Sequence, residues 1–534
     1  MTNSSESFDY IVVGGGSAGC ALVNRLSSNS TNKVLLLEAG SKGHFLSRVP
    51  VSFSLLIDNP AANWCYRSEP EAGTNERQIP IPRGKLLGGS SAINGLVYVR
   101  GQQLDYDTWA QLGNRGWSYA DVLPFFKKME SFEKGESEYR GGSGPLRITE
   151  VVDQNPIYEQ LFKAGGALGI VRNDDYNGAD QEGFARAQTT ISGGRRMSAD
   201  FAYLRPIRRR RNLTIKTRAL VTRLLFNQKV CVGVEAIIGK RTVTFEARKE
   251  VILSGGAINS PQILELSGVG QPQILEKNDI PLVQAINGVG ENLRDHIAPR
   301  LVFRITKPGI AYNDAARGIN LLKEILKYGI NRSGFLNLPS APVLGFFKTR
   351  TELAGPDIQV HFIPYRVVLE NGKRKLGEEP GMTCTVNQNQ PESVGSVHIK
   401  SPDPQQHPAI RYNFLSSRLD IDTLVAGVRL VRDIMNTDEM QMYCGEEMSP
   451  GSDCSSDEDI LAFIRNKAET VYHPVGSCKM GKDVKSVVNE KLRVRQIKNL
   501  RIADASIMPT LTSGNTNGPC MMIGEKCADF IMNH

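Results

Sequence analysis

The first 38 residues constrain this chain more than any other stretch, because they set a strand, a glycine loop, a helix and a second strand in immediate succession. Tyr10-Ile11-Val12-Val13 is a short apolar run of the kind that forms a strand buried on both faces. Gly14-Gly15-Gly16-Ser17-Ala18-Gly19 follows at once and fits G-x-G-x-x-G. Cys20 to Leu26 carries apolar residues at helical spacing, and Val34-Leu35-Leu36-Leu37 forms a second buried strand that ends on Glu38. Each glycine has its own task. Gly14 permits the tight turn, Gly16 lets backbone amides approach a pyrophosphate, and Gly19 allows the helix to lie close to the strand. The helix N-terminus, opening at Ser17 and Ala18, then stabilises phosphate charge. Glu38 stands where a carboxylate accepts hydrogen bonds from ribose hydroxyls. The unit predicts a dinucleotide site in a parallel α/β sheet, and by itself it does not separate FAD from NAD.

A chain of 534 residues exceeds the size at which single cores stop growing, so two domains are expected. With 40% hydrophobic and 22% charged residues it has the composition of an ordinary globular protein. The net charge of +8 is spread out, and its densest run, Arg208 to Arg211, lacks aromatic interleaving. It reads as a solvated loop or helix end, and no nucleic-acid module accompanies it. Nine cysteines without a C-x-x-C pair predict reduced, mostly buried thiols, no metal site and a cytoplasmic compartment, with peripheral contact to the inner membrane left open. Met1 to Phe8 is polar and lacks the basic and apolar regions of a signal peptide, and no apolar run of about 18 residues is present to span a membrane.

A second glycine-rich stretch, Arg83-Gly84-Lys85-Leu86-Leu87-Gly88-Gly89-Ser90-Ser91-Ala92-Ile93-Asn94, presents several amides and hydroxyls between apolar flanks, as suits an anionic cofactor group. Val251-Ile252-Leu253-Ser254-Gly255-Gly256 is another buried strand running into a glycine turn. Further on stand Gly256-Ala257-Ile258-Asn259-Ser260-Pro261-Gln262, His473-Pro474-Val475-Gly476-Ser477, Asp504-Ala505-Ser506 and Asn515-Thr516-Asn517-Gly518-Pro519. In number and order these motifs resemble those of the glucose–methanol–choline oxidoreductase family over essentially the whole chain, with the texture of its choline dehydrogenase-like and alcohol dehydrogenase-like members.

The resemblance implies an α/β fold, α+β overall, with a Rossmann-like FAD-binding domain built from residues 1–150, 210–300 and 465–534. A substrate domain with an antiparallel sheet and helices would take 151–209 and 301–464. By position, Asn94, Gly95, Leu96 and Val97 fall beside the flavin, Val221 near the adenine, and Ala505 at the pyrophosphate or ribityl chain, with Gly88, Gly89, Ser90, Gly255 and Asp504 as further cofactor contacts. Relatives that attach flavin covalently carry a histidine just before the asparagine of the first signature. Ile93 stands there, so the FAD is expected to be non-covalent.

Oxidising an alcohol requires a base for the hydroxyl proton and an acceptor for the hydride. Histidine suits the first task near neutrality, and seven are present. His473 lies between a helical-looking segment, Asp457 to Thr470, and a turn set by Pro474 and Gly476. Family correspondence makes it the catalytic base, with Asn515 or, competing with it, Asn517 as its partner. His361 matches a pocket-lining histidine of choline-oxidising relatives, and a core histidine bonded to a carbonyl fits that strand as well. His296, in Asn292-Leu293-Arg294-Asp295-His296, reads as structural. Pro342 stands where choline-specific relatives carry a glutamate, and a desolvated quaternary cation without a counter-charge is costly. The expected reaction is therefore oxidation of a neutral primary alcohol, with oxygen or a quinone as electron acceptor. Two family alternatives are a carbon–carbon lyase and a light-driven fatty-acid decarboxylase, the latter with Cys384 as its cysteine; a non-catalytic flavin-binding protein is a third.

Overall fold

The computed structural model describes residues 6–370 and 373–533; the readings on Met1–Ser5 and His534 lie outside the described residues. The apolar runs of the N-terminal unit become the centre of a seven-stranded sheet. Its parallel strands lie in the order Leu213–Thr217, Val34–Glu38, Glu6–Val13, Arg241–Leu253 and Leu500–Ile502. Ile11, Val12, Leu35, Leu36, Val251 and Ile252 are wholly buried, each contributing roughly 1.5–3 kcal/mol by leaving water. The strand expected at Val251–Leu253 begins ten residues earlier, at Arg241. Its first half alternates exposed and buried residues, because it pairs antiparallel with Val230–Ile238, which in turn pairs with Ala219–Asn227.

The carboxyl ends of the parallel strands all open on one edge, so the loops after Val13, Glu38, Leu253 and Ile502 share a crevice. Helix Ser17–Leu26 covers the sheet there. Its closeness rests on Gly19, where a Cβ would sit 2.0 Å from the Gly14 carbonyl oxygen.

A second, six-stranded sheet is antiparallel throughout, in the order Cys444–Ser449, Arg300–Ile305, Gly381–Gln388, Ile358–Ile363, Val343–Phe347 and Gly183–Arg186. Alternation divides its faces. Leu301, Phe303, Val360, Phe362, Met382 and Cys384 enter a core backed by helix Arg418–Met435, while Val302, His361, Ile363, Thr383 and Thr385 face the crevice.

The helix read as Asp457 to Thr470 stops at Lys467, and Glu469–Thr470 pairs as a short strand with Ile297–Ala298. Arg77 secures that break by donating to the carbonyls of Arg465 and Ala468. Of the basic run, Arg208, Arg209 and Arg211 are exposed. Six of the nine cysteines are buried and all are free. No helix among the described residues is long and apolar enough to cross a membrane.

Candidate active site

One cavity of about 1060 Å³ runs from the glycine loop at the sheet edge to the inner face of the antiparallel sheet. Gly14, Gly16, Ser17, Ala18, Glu38, Gly89, Ser90, Asn94, Gly95, Leu96, Val97, Val221, Gly255, Asp504 and Ala505 all line it, as do His361, His473, Asn515 and Asn517. Two expected contact residues do not. Gly19 is spent on helix–loop packing, and Gly88 turns the second loop with φ +91° while its N–H donates to the Gly15 carbonyl.

The dinucleotide end is built for an anion. Helix Ser17–Leu26 starts at Gly16 with no side-chain cap, so its first amides stay free for a ligand. The C-terminal helix Asn517–Met532 also starts without a side-chain cap, and Ser17 Oγ donates to Asn517 Oδ1 at 2.7 Å. Ser254 Oγ and Asn517 Nδ2, both on cavity-lining residues, are buried without a partner among the described residues. Glu38 accepts from the amides of Gly15 (2.8 Å) and Gly40 (2.7 Å), and burial pushes its carboxyl up to about 7. Asp504 accepts from the amide of Gly256 (2.9 Å) and from Ser260 Oγ (2.6 Å), fixing the second glycine turn. A large crevice with uncapped helix starts and orphaned polar atoms fits a dinucleotide.

Asn94 is held from two sides. Its Oδ1 accepts from Leu96 N (3.1 Å) and from the buried Arg196 (2.7 Å). Leu96 takes the left-handed conformation, φ +67°, while wholly buried, and a Cβ on Gly95 would meet Ser340 Oγ at 2.1 Å. This loop is therefore over-determined at the point where it enters the cavity. Arg196, which also donates to the carbonyls of Ser47 and Ser91, carried no signal in the sequence beyond its charge.

At the other end stands His473, on a loop that pairs with the strand before His296. Arg294 and Val475 exchange both backbone hydrogen bonds, and Asn292 donates to the carbonyls of Gly476 and Pro509. Asp295 lies buried between the two histidines and accepts from both their amides at 2.8 Å, as well as from Thr470 Oγ1. Arg83 holds the carbonyl of Tyr472, whose φ of +72° turns the chain immediately before His473. The turn expected from Pro474 and Gly476 is thus set equally by residues far away in sequence.

The hydrogen bonds fix the tautomers. His296 Nε2 lies 2.8 Å from the Asn389 carbonyl, which only accepts, so that nitrogen carries the hydrogen. His296 Nδ1 is then an acceptor, and His473 Nδ1, 3.0 Å away, must donate to it. His473 Nε2 is left with a lone pair directed at the cavity, where Asn515 Nδ2 donates to it at 3.1 Å. Gln359 Nε2 donates to Asn515 Oδ1 at 3.3 Å and so orients that amide. Of the two asparagines in competition, Asn515 bonds His473, while Asn517 bonds Ser17 at the glycine loop. His296, read as structural, touches His473 directly. Its place followed from the pairing of two segments 177 residues apart, which the sequence did not disclose.

Burial, reinforced by the His296 and His361 rings and by Arg83, holds His473 well below the ordinary histidine range. Burial likewise pulls His296 and His361 down to about 4. All three rings are neutral near pH 7, and His473 is a base whose Nε2 lone pair faces the cavity and meets the Asn515 amide. His361 lines the cavity, and its Nε2 is buried without a hydrogen-bond partner among the described residues. Replacing Asn515 with Asp tests the electrostatics. A carboxylate beside Nε2 favours the imidazolium, so the acid limb of the pH–rate profile should move up by about 1–3 pH units. An unmoved limb would mean that His473 does not titrate in that limb.

Comparison with known proteins gives a consistent result. Residues 8–298 match the N-terminal model of the family described as GMC oxidoreductase, and residues 391–524 match its C-terminal model. An oxygen-dependent choline dehydrogenase of Escherichia coli strain K12 is 42% identical over 532 residues, covering 98% of this chain and 95% of the relative. The crystal structure of pyridoxine 4-oxidase from Mesorbium loti superposes with a TM-score of 0.89 at 28% identity, over 99% of both chains. A formate oxidase crystal structure gives 0.91 at 27% identity, over 99% of this chain and 98% of that one.

Proposed function

This chain belongs to the GMC oxidoreductase family, and we propose that it oxidises a neutral primary alcohol, aliphatic or aromatic, to the aldehyde, using non-covalent FAD and His473 as general base. The observation that carries this reading is the fixed tautomer of His473, whose Nε2 lone pair faces the cavity beside the Asn515 amide.

The Gly14–Gly16 loop and the start of helix Ser17–Leu26 would hold the pyrophosphate of FAD, Glu38 the ribose, Val221 the adenine region, and Asn94 to Val97 the ring. When bound, the flavin supplies the acceptor for the hydride. An alcohol whose oxygen reaches both His473 Nε2 and Asn515 Nδ2, in place of the bond between them, gives its hydroxyl proton to the imidazole. Asn515 donates to the same oxygen and steadies the charge that grows on it. The imidazolium charge that develops on His473 leans through Nδ1–H on His296, which passes the hydrogen bond on to the Asn389 carbonyl. Ile93 lines the cavity next to Asn94 and offers no nucleophilic atom, which supports a non-covalent cofactor.

The cofactor domain is assigned to 1–150, 210–300 and 465–534 because every strand of the parallel sheet falls in those ranges. Cys384 points away from the cavity, since its neighbours Thr383 and Thr385 line it, which argues against the light-driven decarboxylase.

The substrate end supports a neutral alcohol. Its wall includes Phe335, Ile363, Tyr365 and Val302, and its carboxylate, Glu469, is bridged to Arg300. A second reading, choline oxidation, draws on the 42% identity with choline dehydrogenase. Anaerobic mixing of the flavin-loaded protein with a panel of alcohols separates the two. Aliphatic and benzylic primary alcohols should bleach the oxidised flavin at least tenfold faster than choline at equal concentration. A preference for choline would overturn the substrate class, and no bleaching by any alcohol would overturn the reaction.

A further inference from the structure

Helix Gly318–Asn331 is attached to the protein by the wrong side. In most surface helices the apolar stripe faces the core. Here Tyr328 is the buried residue, its hydroxyl donating to the Gly194 carbonyl at 2.8 Å, and Glu324 turns inward to accept from the amide of Phe335 at 2.6 Å. At 100° per residue, Ile319, Leu322, Ile325, Leu326 and Ile330 fall within an arc of about 140° centred away from Tyr328. Their exposure runs from 49% at Ile325 to 85% at Ile330. Lys323 and Lys327, both exposed, flank one edge of this stripe, and no carboxylate shares it.

The surface beside the helix is basic. Arg48 and Arg205 both lie over the Phe201 ring, at 3.4 and 3.7 Å, and Arg332 lies 5.2 Å over Tyr328. Arg48, Arg195 and Arg332 all act electrostatically on Tyr328, which places the group against the helix. Asp200, the acid that faces Arg48, is bridged to Arg208, and Arg48 Nη1 is buried without a partner among the described residues. Two further exposed apolar side chains, Phe45 and Leu55, extend the patch. The patch also borders the cavity, because Leu55, Ala316, Arg317 and Phe335 line it.

We infer that this face docks on the surface of an anionic phospholipid bilayer, with the apolar stripe in the acyl boundary and the arginines and lysines on headgroup phosphates. An outward apolar arc flanked by lysines is the pattern of an interfacial helix, and juxtaposed basic side chains add attraction to anionic lipid. A second copy of the chain fits poorly, since a two-fold contact of this face would bring both sets of arginines and lysines together. The cavity mouth then opens beside the lipid.

The test is sedimentation of the full-length holoenzyme with vesicles. The wild type should sediment with phosphatidylglycerol–phosphatidylcholine vesicles, and much less with phosphatidylcholine alone or in high salt. The double variant Leu322→Glu/Leu326→Glu should lose at least about tenfold in binding while keeping its turnover with a soluble dye acceptor. Lys323→Glu/Lys327→Glu should lose the preference for anionic vesicles. No sedimentation with anionic vesicles, or sedimentation that Leu322→Glu/Leu326→Glu leaves unchanged, would overturn the inference. Equal sedimentation with uncharged vesicles would overturn the anionic choice. A dimer in analytical ultracentrifugation that Leu322→Glu/Leu326→Glu splits would make the face an interface between copies instead.

Discussion

Replacing His473 with Ala is expected to slow reduction of the bound flavin by alcohol about a thousandfold, within the range that a positioned general base contributes. Flavin occupancy should stay that of the wild type, because the His473 side chain is absent from the glycine-loop end of the cavity, where the pyrophosphate would be held. Anaerobic stopped-flow mixing reads both quantities in one experiment. The effect should be large because no neighbour can stand in. His296 Nδ1 faces the His473 ring rather than the open cavity, and of the three rings His473 is the one that meets the Asn515 amide. Added imidazole should restore part of the rate, with a pH dependence of its own. A rate within tenfold of the wild type would remove His473 from the role of base.

The second large effect belongs to Gly16. A Cβ added there meets no protein atom closer than Ser254 O at 4.0 Å, and the backbone is extended at φ −81° and ψ −161°. A Gly16→Val variant should therefore fold as the wild type does. It should nevertheless be purified almost free of flavin, because the branched side chain would fill the space in which backbone amides meet a pyrophosphate. Gly19→Val makes the contrast. Its Cβ would collide with the Gly14 carbonyl oxygen at 2.0 Å, so it should lose thermal stability together with flavin. The supernatant after acid precipitation is the readout. The wild type should release about one flavin per chain, and flavin left in the pellet would mean a covalent bond. Full flavin occupancy in folded Gly16→Val would refute the placement of the pyrophosphate.

These two positions show how differently the parts of the site could be read. Gly16 was legible because a strand, a glycine loop and a helix in succession have a local physical meaning: turn geometry, amide exposure and packing distance all follow from neighbouring residues. The partners of His473 were less legible. Asp295 and His296 come from the link between the short strands Glu291–Leu293 and Ile297–Ala298, Gln359 from the antiparallel sheet, Asn389 from just past its strand Gly381–Gln388, and Asn515 from the loop before the last helix. None is within 40 residues of His473 in sequence, and only pairing between segments brings them together. The competition between Asn515 and Asn517 had the same origin. Two residues apart on a turn, they point to opposite ends of the cavity.

By itself the sequence determined the parallel sheet and its dinucleotide loop, because buried apolar runs and glycine spacing act over a few residues. It also exposed the motifs that carry the family resemblance. The tertiary structure alone decided which nitrogen of His473 is free, since a tautomer is set by hydrogen-bond partners and those partners are distant. It alone turned Cys384 away from the cavity, because which face of a strand lies inward depends on what the sheet packs against. The inverted helix Gly318–Asn331 is of the same kind. Its apolar periodicity is plain in the sequence, but whether that stripe faces a core or the outside depends on where Tyr328 and Glu324 find their partners.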